Sequence, residues 1–289
     1  RSLLEVIAPV MRSLKEGASA LDAVVMGCEL LEDDPIFNAG TGSAIQSDGV
    51  VRMSAALMSA LQEQNPTFSG VINAERIRHP IQMAAFLQHD RDRVLAGAGT
   101  SELARELEMA IHDPIVERRL LEWLRERGLD FARDAVDVVA DPPAHGTGTI
   151  GVVAMDTTGS IVAGTSTGGR GFERVGRVSD SATPAGNYAT SSAGVSCTGI
   201  GEDILDACLA ARIVVRVTDG FSLYDALEKS MRESEQRAQM LGAIAISGDG
   251  TIGWAKTSDI LLAAYHDGDS HGDTIDLPHG TISQVRAAV

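Results

Sequence analysis

Residues 145–156 read His-Gly-Thr-Gly-Thr-Ile-Gly-Val-Val-Ala-Met-Asp, and residues 157–169 continue Thr-Thr-Gly-Ser-Ile-Val-Ala-Gly-Thr-Ser-Thr-Gly-Gly. An apolar run from Ile150 ends at the turn residues Thr157–Ser160, and a second strand-like run follows from Ile161, so the two form a predicted β-hairpin. The threonines at the start of the first strand and the end of the second then lie close together across it. Thr149 follows Gly148, which sets no side chain in the way of an attack on its own carbonyl and tolerates strained dihedrals. If the Gly148–Thr149 bond is cut, one residue carries both a hydroxyl and a free amine, a nucleophile with its own base. Thr147 is a rival position, and a Gly-Thr pair taken alone is an ordinary strand start.

Four segments carry a resemblance. They are Ser19–Val24, Leu31–Gly42, Gly148–Gly151, and Ser166–Gly169 continuing through Gly176–Ser181 to Ser196–Glu202. In order and spacing, over nearly the whole chain, they resemble the plant-type asparaginases, isoaspartyl peptidases and glycosylasparaginases, a family of N-terminal nucleophile hydrolases. The resemblance implies an α+β fold, a four-layer α/β/β/α sandwich. The run of helices, hairpins, helices and further sheet fits it, although periodicity alone does not select it. It also implies a chain cut into an N-terminal part, 1–148, and a C-terminal part, 149–289, that together make one domain.

Carried over residue by residue, the resemblance makes Thr149 the nucleophile and Thr167 the threonine that orients it. Thr198 and Gly199 become the oxyanion hole, and Asn38 approaches the nucleophile. Arg177 matches the residue that holds a substrate α-carboxylate. Asp180 and the Gly201 carbonyl match those that hold its α-ammonium. An Arg fork suits a carboxylate and a carboxylate suits an ammonium, so the implied substrates are L-asparagine and β-aspartyl peptides. Taken alone, Arg177 and Asp180 read as a surface ion pair. No cofactor is implied beyond a structural sodium, held by main-chain oxygens of Leu31, Glu32, Asp34, Phe37, Ala39 and Thr41. The partners implied are a small-molecule substrate and a second copy, giving a homodimer of cleaved protomers.

Three differences from the family pattern stand out. A buried first strand with a His-Gly-Gly-Ala-Gly-like motif is expected ahead of Ser19 and is not found there; either the sequence begins after it or the pattern differs at this edge of the sheet. Met53-Ser-Ala55 stands where the family carries Met-Asp-Ala, and Ser179 with Ala182 replaces Gly and Pro in Gly-Arg-Val-Gly-Asp-Ser-Pro. A serine where a glycine needs positive φ reshapes the substrate loop. Gly148 itself is asparaginase-like, since the glycosylasparaginase branch has an aspartate there, while the charged helix around Trp123 is compatible with that branch.

Composition narrows the partners. A net charge of −16 over 289 residues argues against nucleic acid and anionic membrane, which need clustered Lys and Arg. No apolar run approaches the roughly 20 residues of a spanning helix, and no leader pattern opens the sequence. Cys28, Cys197 and Cys208 lack metal-ligand spacing, so reduced thiols in a cytoplasm are expected.

The remaining chain reads as amphipathic helices over 2–16 and from Ser19, then a turn-rich loop over 31–41. Ser47-Asp-Gly49 signals a hairpin between 41–46 and 50–58. Helices follow at 80–88, 100–108 and 114–128, the last with Ile115, Leu120, Leu121 and Trp123 facing inward. Residues 129–147 read as a flexible linker. A strand at 193–197, helices over 202–217 and 222–238, and a hairpin of 241–246 with 251–255 complete the core. The His-containing tail from 266 to 279 reads as a solvated loop. Thr198-Gly-Ile-Gly-Glu-Asp-Ile204 offers a nucleotide-loop alternative, without a βαβ unit around it. An uncleaved inactive relative and a threonine protease of the taspase type are two further readings of the same residues.

Overall fold

The computed structural model describes residues 2–62, 64–131, 148–275, 277–278 and 280–282. Helices α1 (Ser2–Lys15) and α2 (Ala20–Asp33) open the chain. The Ser19 hydroxyl accepts the Asp22 N–H and so satisfies an otherwise unpaired donor at the start of α2. Strands β1 (Met53–Ala60) and β2 (Thr67–Ala74), helix α3 (Pro80–Leu87), edge strand β3 (Val94–Ala96), α4 (Ala98–Glu106) and α5 (Glu117–Gly128) follow. Next comes the expected hairpin, β4 (Ile150–Met155) with β5 (Ile161–Thr167), paired antiparallel with Ile150 opposite Ser166. Its turn is closed by Asp156, whose Oδ1 accepts from the Thr158 N–H and hydroxyl and from the Ser160 N–H.

The second half holds β6 (Asn187–Ala189), β7 (Ala193–Gly199), α6 (Gly201–Ala207), α7 (Leu209–Thr218), α8 (Leu223–Glu235), β8 (Leu241–Ser247) and β9 (Ile252–Lys256). It ends with β10 (Ala264–His266), β11 (His271–Asp273) and β12 (Gly280–Ile282). Two five-stranded sheets result, in the orders β3-β2-β1-β5-β4 and β12-β9-β8-β7-β6. Among the described residues only the β2–β3 pair is parallel. The architecture is α+β.

The two sheets touch through β4 and β5 on β7 and through β1 on β6. Small and hydroxyl side chains make this approach close. The Thr165 and Ser196 hydroxyls hydrogen-bond at 2.6 Å, and Asn187 Nδ2 donates to the Ala56 carbonyl at 2.8 Å. Helices α2 and α3 pack on the first sheet, α7 and α8 on the second. A Cβ at Gly164 would stand 2.5 Å from Val24 of α2, so this glycine sets how near the helix lies to β5. Three apolar clusters fill the molecule: one around Val24, Leu57 and Ile81, one around Ile204, Ile213 and Leu227, and a smaller one around Met58 and Ile161. Burying each such side chain contributes about 1.5–3 kcal/mol.

Several expectations are corrected. Residues 41–46 form no strand, because their amides are used elsewhere. Gly42 N–H donates to the Pro114 carbonyl, Ala44 N–H to the Asn38 side chain, and Gln46 N–H closes the 47–49 turn on Val50. Leu31–Asp33 belong to α2, so the loop begins at Asp34. The inward face of α5 is only half as expected. Ile115, just before it, and Trp123 pack against the core as expected, but Leu120 and Leu121 are exposed while Arg119 and Glu126 are buried, because Arg119 Nε donates to the Gly42 carbonyl.

The single helix expected over 202–217 breaks at Cys208, which is left-handed at φ 47°. The Ala210 and Ala211 amides there bond the carbonyls of Ala185 and Pro184. The tail holds the β10–β11 pair, with Tyr265 stacked on Trp254, in place of a plain loop. Strands β2 and β3 carry no clear signature in the sequence. Most of the linker, 132–147, and the rival Thr147 lie outside the described residues. Among those described, β4 is a sheet edge, and an apolar cavity of about 220 Å³ runs along it beneath α1 from Thr149 and Thr198 toward Tyr265.

Candidate active site

Thr149 sits immediately before β4, and its Oγ1 donates to Thr167 Oγ1 at 3.1 Å at the end of β5. Hairpin register makes this contact inevitable, since Ile150 faces Ser166. Thr167 is buried, and its Oγ1 also accepts the Gly169 N–H at 3.1 Å. Asn38 clamps the same corner. Its Nδ2 donates to the Gly169 carbonyl at 2.6 Å and its Oδ1 accepts from Ala44. Its own N–H donates to the Gly148 carbonyl at 3.3 Å, and its carbonyl accepts from Gly168. The carbonyl that precedes Thr149 is therefore already held by a donor.

Across the gap between the sheets, Thr198 at the end of β7 brings its Oγ1 to 3.9 Å from where a Gly148 Cβ would stand. Gly199 has φ 137°, and a Cβ there would collide with the Met240 carbonyl. Only glycine turns the chain here, and the Ile200 N–H fixes the turn by donating to that carbonyl at 2.9 Å.

Three residues beyond Thr198, Gly201 opens α6 between the charged groups. A Cβ at Gly201 would lie 2.5 Å from Arg177 Nη2 and 2.8 Å from Asp180 Oδ1. Asp180 is buried on a single 3-10 turn. Burial pushes its carboxyl up to about 7, against the opposing pull of Arg177 and of the Ser179 hydroxyl, which donates to its Oδ1 at 3.2 Å. Arg177 is no partner of Asp180 in a surface ion pair. It bonds Glu202 through two contacts, Nε to Oε1 at 2.8 Å and Nη2 to Oε2 at 3.0 Å. Ser179 has φ −77° and ψ 154°. The backbone does not need glycine there, and the expected distortion of the substrate loop does not occur. Ser54, the other departure, lies opposite Thr167 and accepts the Asn73 N–H.

The structure thus gathers Asn38, Gly148, Thr149, Thr167 and Thr198 in one corner and Arg177, Asp180 and Gly201 in another. Gly199 and Ile200 join the two. Thr198 to Gly201 spans at most about 10 Å, the scale of one amino acid.

Sequence reading missed three carboxylates. Glu202 reads only as a helix start. Glu173 is buried beneath Gly169, and its Oε2 has no hydrogen-bond partner among the described residues. Buried Glu32 accepts from the Ser166 hydroxyl at 2.6 Å, and burial raises its carboxyl well above the usual range. Nothing in local sequence marks these roles, which depend on tertiary neighbours.

The proposed sodium positions are arranged around the C-terminus of α2. Leu31 and Glu32 lie in its last turn, which has no basic residue, and Asp34 caps it. Phe37, Ala39 and Thr41 follow in the turn. Helix-terminal carbonyls carry partial negative charge, and uncharged oxygen donors suit a hard cation. The Pro35 and Phe37 carbonyls also converge on the space that a Gly42 Cβ would fill. Arg118 donates to the Pro35 carbonyl from α5. Of the proposed oxygens, the Glu32 carbonyl accepts the Thr41 N–H at 2.7 Å; as uncharged oxygens they are of the kind a hard cation takes. No group of three His, Cys, Asp or Glu side chains suited to a metal occurs among the described residues.

A family model described as Asparaginase matches residues 1–275. The chain belongs to the asparaginase family. Among similar proteins, an isoaspartyl peptidase/L-asparaginase of Synechocystis sp. is 56% identical over 283 residues, covering 97% of this chain and 85% of that protein. A plant-type L-asparaginase of Pyrococcus furiosus is 35% identical over 267 residues, covering 88% and 85%. An isoaspartyl peptidase/L-asparaginase of Xenopus laevis is 33% identical over 272 residues, covering 90% and 85%. Like the rest of the asparaginase family, the chain is a hydrolase. The nucleotide-loop reading falls, because β7 pairs antiparallel with β6 and β8 and no βαβ unit surrounds it among the described residues. No helix among the described residues is long and apolar enough to cross a membrane.

Proposed function

We propose that this chain is an autocleaving N-terminal threonine amidohydrolase that releases aspartate from L-asparagine and β-aspartyl (isoaspartyl) peptides. The observation that carries the reading is the pairing of two corners one amino acid apart. One is a hydroxyl pair at Thr149 and Thr167 with the Gly148 carbonyl held beside it; the other is the partly buried Arg177 and buried Asp180, which converge on Gly201.

Maturation comes first. Thr149 Oγ1 attacks the Gly148 carbonyl, whose oxygen already accepts the Asn38 N–H. The Gly148–Thr149 C–N bond breaks as the hydroxyl proton passes to the Thr149 nitrogen, and water hydrolyses the resulting ester, leaving a Gly148 carboxylate, the Thr149 hydroxyl and a free Thr149 amine. That amine, with a pKa near about 7.7–8, is partly neutral at physiological pH and takes the proton from the Thr149 hydroxyl. The hydroxyl then attacks the substrate's side-chain carbonyl. Thr198 and the Gly199 N–H stabilise the oxyanion, a contribution of about 3–4 kcal/mol per donor. The protonated Thr149 amine gives its proton to the leaving nitrogen, the C–N bond breaks to release ammonia or an amine, and water hydrolyses the aspartyl ester, freeing aspartate and the Thr149 hydroxyl. Arg177 holds the α-carboxylate; Asp180 and the Gly201 carbonyl hold the α-ammonium.

In this reading, 1–148 and 149–289 become two subunits of one four-layer α/β/β/α unit, and two cleaved protomers associate. Sodium, bound by the main-chain oxygens of residues 31–41, would brace the loop that carries Asn38. A cytoplasmic setting accords with free Cys28, Cys197 and Cys208. The test is aspartate release from L-asparagine and from a β-aspartyl dipeptide, with the α-linked dipeptide as control. Release from the first two and not the third is expected; no release from any overturns the proposal.

A further inference from the structure

We infer that Glu202 is a positioning residue for the head-group site: it grips Arg177 by one edge of the guanidinium and so presents the other edge, already oriented, to the substrate α-carboxylate. The inference rests on the functional reading above and deepens it.

The geometry is specific. The Glu202 carboxylate takes Nε and Nη2 in a two-point contact at 2.8 and 3.0 Å. The remaining edge, Nη1 with the second Nη2 hydrogen, has no hydrogen bond among the described residues. A guanidinium offers five N–H donors in a rigid fork, so fixing one edge fixes the direction of the other. Nη2 and Asp180 Oδ1 both converge on Gly201, which places the Arg177 fork beside the carboxylate assigned to the ammonium. A single Cα carrying both substrate charges needs that adjacency.

Burial separates the two partners. The Arg177 side chain is 12% exposed and that of Glu202 is 50% exposed. Glu202 therefore buttresses the cation from the solvent side and remains accessible itself. Its contact with Arg177 keeps its carboxyl below the usual range despite partial burial, so it stays charged at neutral pH. Glu202 also lies in the first turn of α6, directly after Thr198–Gly201. It thereby joins the loop of the proposed oxyanion hole to the residue that sets the head group.

The experiment compares Glu202→Gln and Glu202→Asp with the wild type on L-asparagine, together with inhibition by L-aspartate and by β-alanine. β-Alanine is aspartate without its α-carboxylate. In E202Q, KM for asparagine and the inhibition constant for L-aspartate are expected to rise about tenfold, with kcat within about twofold. Inhibition by β-alanine is expected to stay unchanged, and E202D to fall between wild type and E202Q. If E202Q fails to mature, E202D alone carries the test through a smaller rise in the same direction. An unchanged or lowered KM overturns the role, the latter because Glu202 would then be competing with substrate. So does an equal loss of affinity for β-alanine, which would point to general damage. Wild-type turnover in the same assay tests the functional reading separately.

Discussion

Thr149, Thr167 and Thr198 stand at strand ends and are neutral, whereas Arg177, Asp180 and Glu202 stand on a loop, a single turn and a short helix and are ionisable. The first corner owes its geometry to backbone register. Once Ile150 pairs with Ser166, the two threonine hydroxyls meet without further instruction. The second owes its geometry to missing side chains and mutual charge. Gly201 and Gly186 leave room for the Asp180 carboxylate, and Glu202 aims Arg177. Strand-built hydroxyls suit bond-making, which tolerates little misplacement. Loop-built charges suit recognition, and their protonation makes them responsive to pH.

If that division is right, substitutions at the two corners divide between kcat and KM. The largest effect is expected for Thr149→Ala, which removes the nucleophile and the maturation step together. Turnover should fall by roughly 10⁶-fold, to background, with an uncut chain by mass spectrometry. Thr198→Val keeps shape and removes one oxyanion donor. It should lower kcat by about 10²- to 10³-fold with little change in KM, measured on protein already shown to be cleaved. A large KM effect there would break the comparison.

At the charged corner the expected signature is pH. The ionised Asp180 carboxylate binds the ammonium, and its pKa in the free protein is about 7. Protonation as pH falls through that value should raise KM for asparagine about tenfold per unit, while above it KM levels off. In Asp180→Asn, KM should be high throughout and that limb of the profile absent. A wild-type KM that is flat from pH 5.5 to 8 would contradict the assignment.

The smallest effect is expected for Ser179→Gly. Loss of the hydroxyl bond to Asp180 Oδ1 should move the KM limb to slightly higher pH and raise KM by no more than about threefold at pH 7. Because Ser179 is not in the left-handed region, no gain from restoring glycine is expected.

The same contrast explains what the sequence disclosed. The β4–β5 hairpin was legible because an apolar run, the Thr157–Ser160 turn and a second run are all local signals. The nearness of Thr149 and Thr167 followed from it, whereas Thr198 and Asn38 came from the resemblance. Arg177, Asp180 and Gly201 entered only through resemblance, since an Arg and an Asp in a loop usually form a surface pair. Glu202, Glu173 and Glu32 were silent because a carboxylate's role depends on what packs against it. The exposure of Leu120 and Leu121 on α5 was hidden for a related reason: buried Arg119 binds a distant carbonyl, which no hydrophobic pattern encodes. The break at Cys208 had no local cue, because cysteine has no preference for the left-handed region.

The central claim is that Thr149 becomes an N-terminal nucleophile, and the denatured intact mass of freshly purified protein tests it most directly. The account predicts two fragments whose masses meet between Gly148 and Thr149. A single chain that persists through long incubation would leave Thr149 without its base and contradict the account, and a cut before Thr147 would move the nucleophile to a different residue.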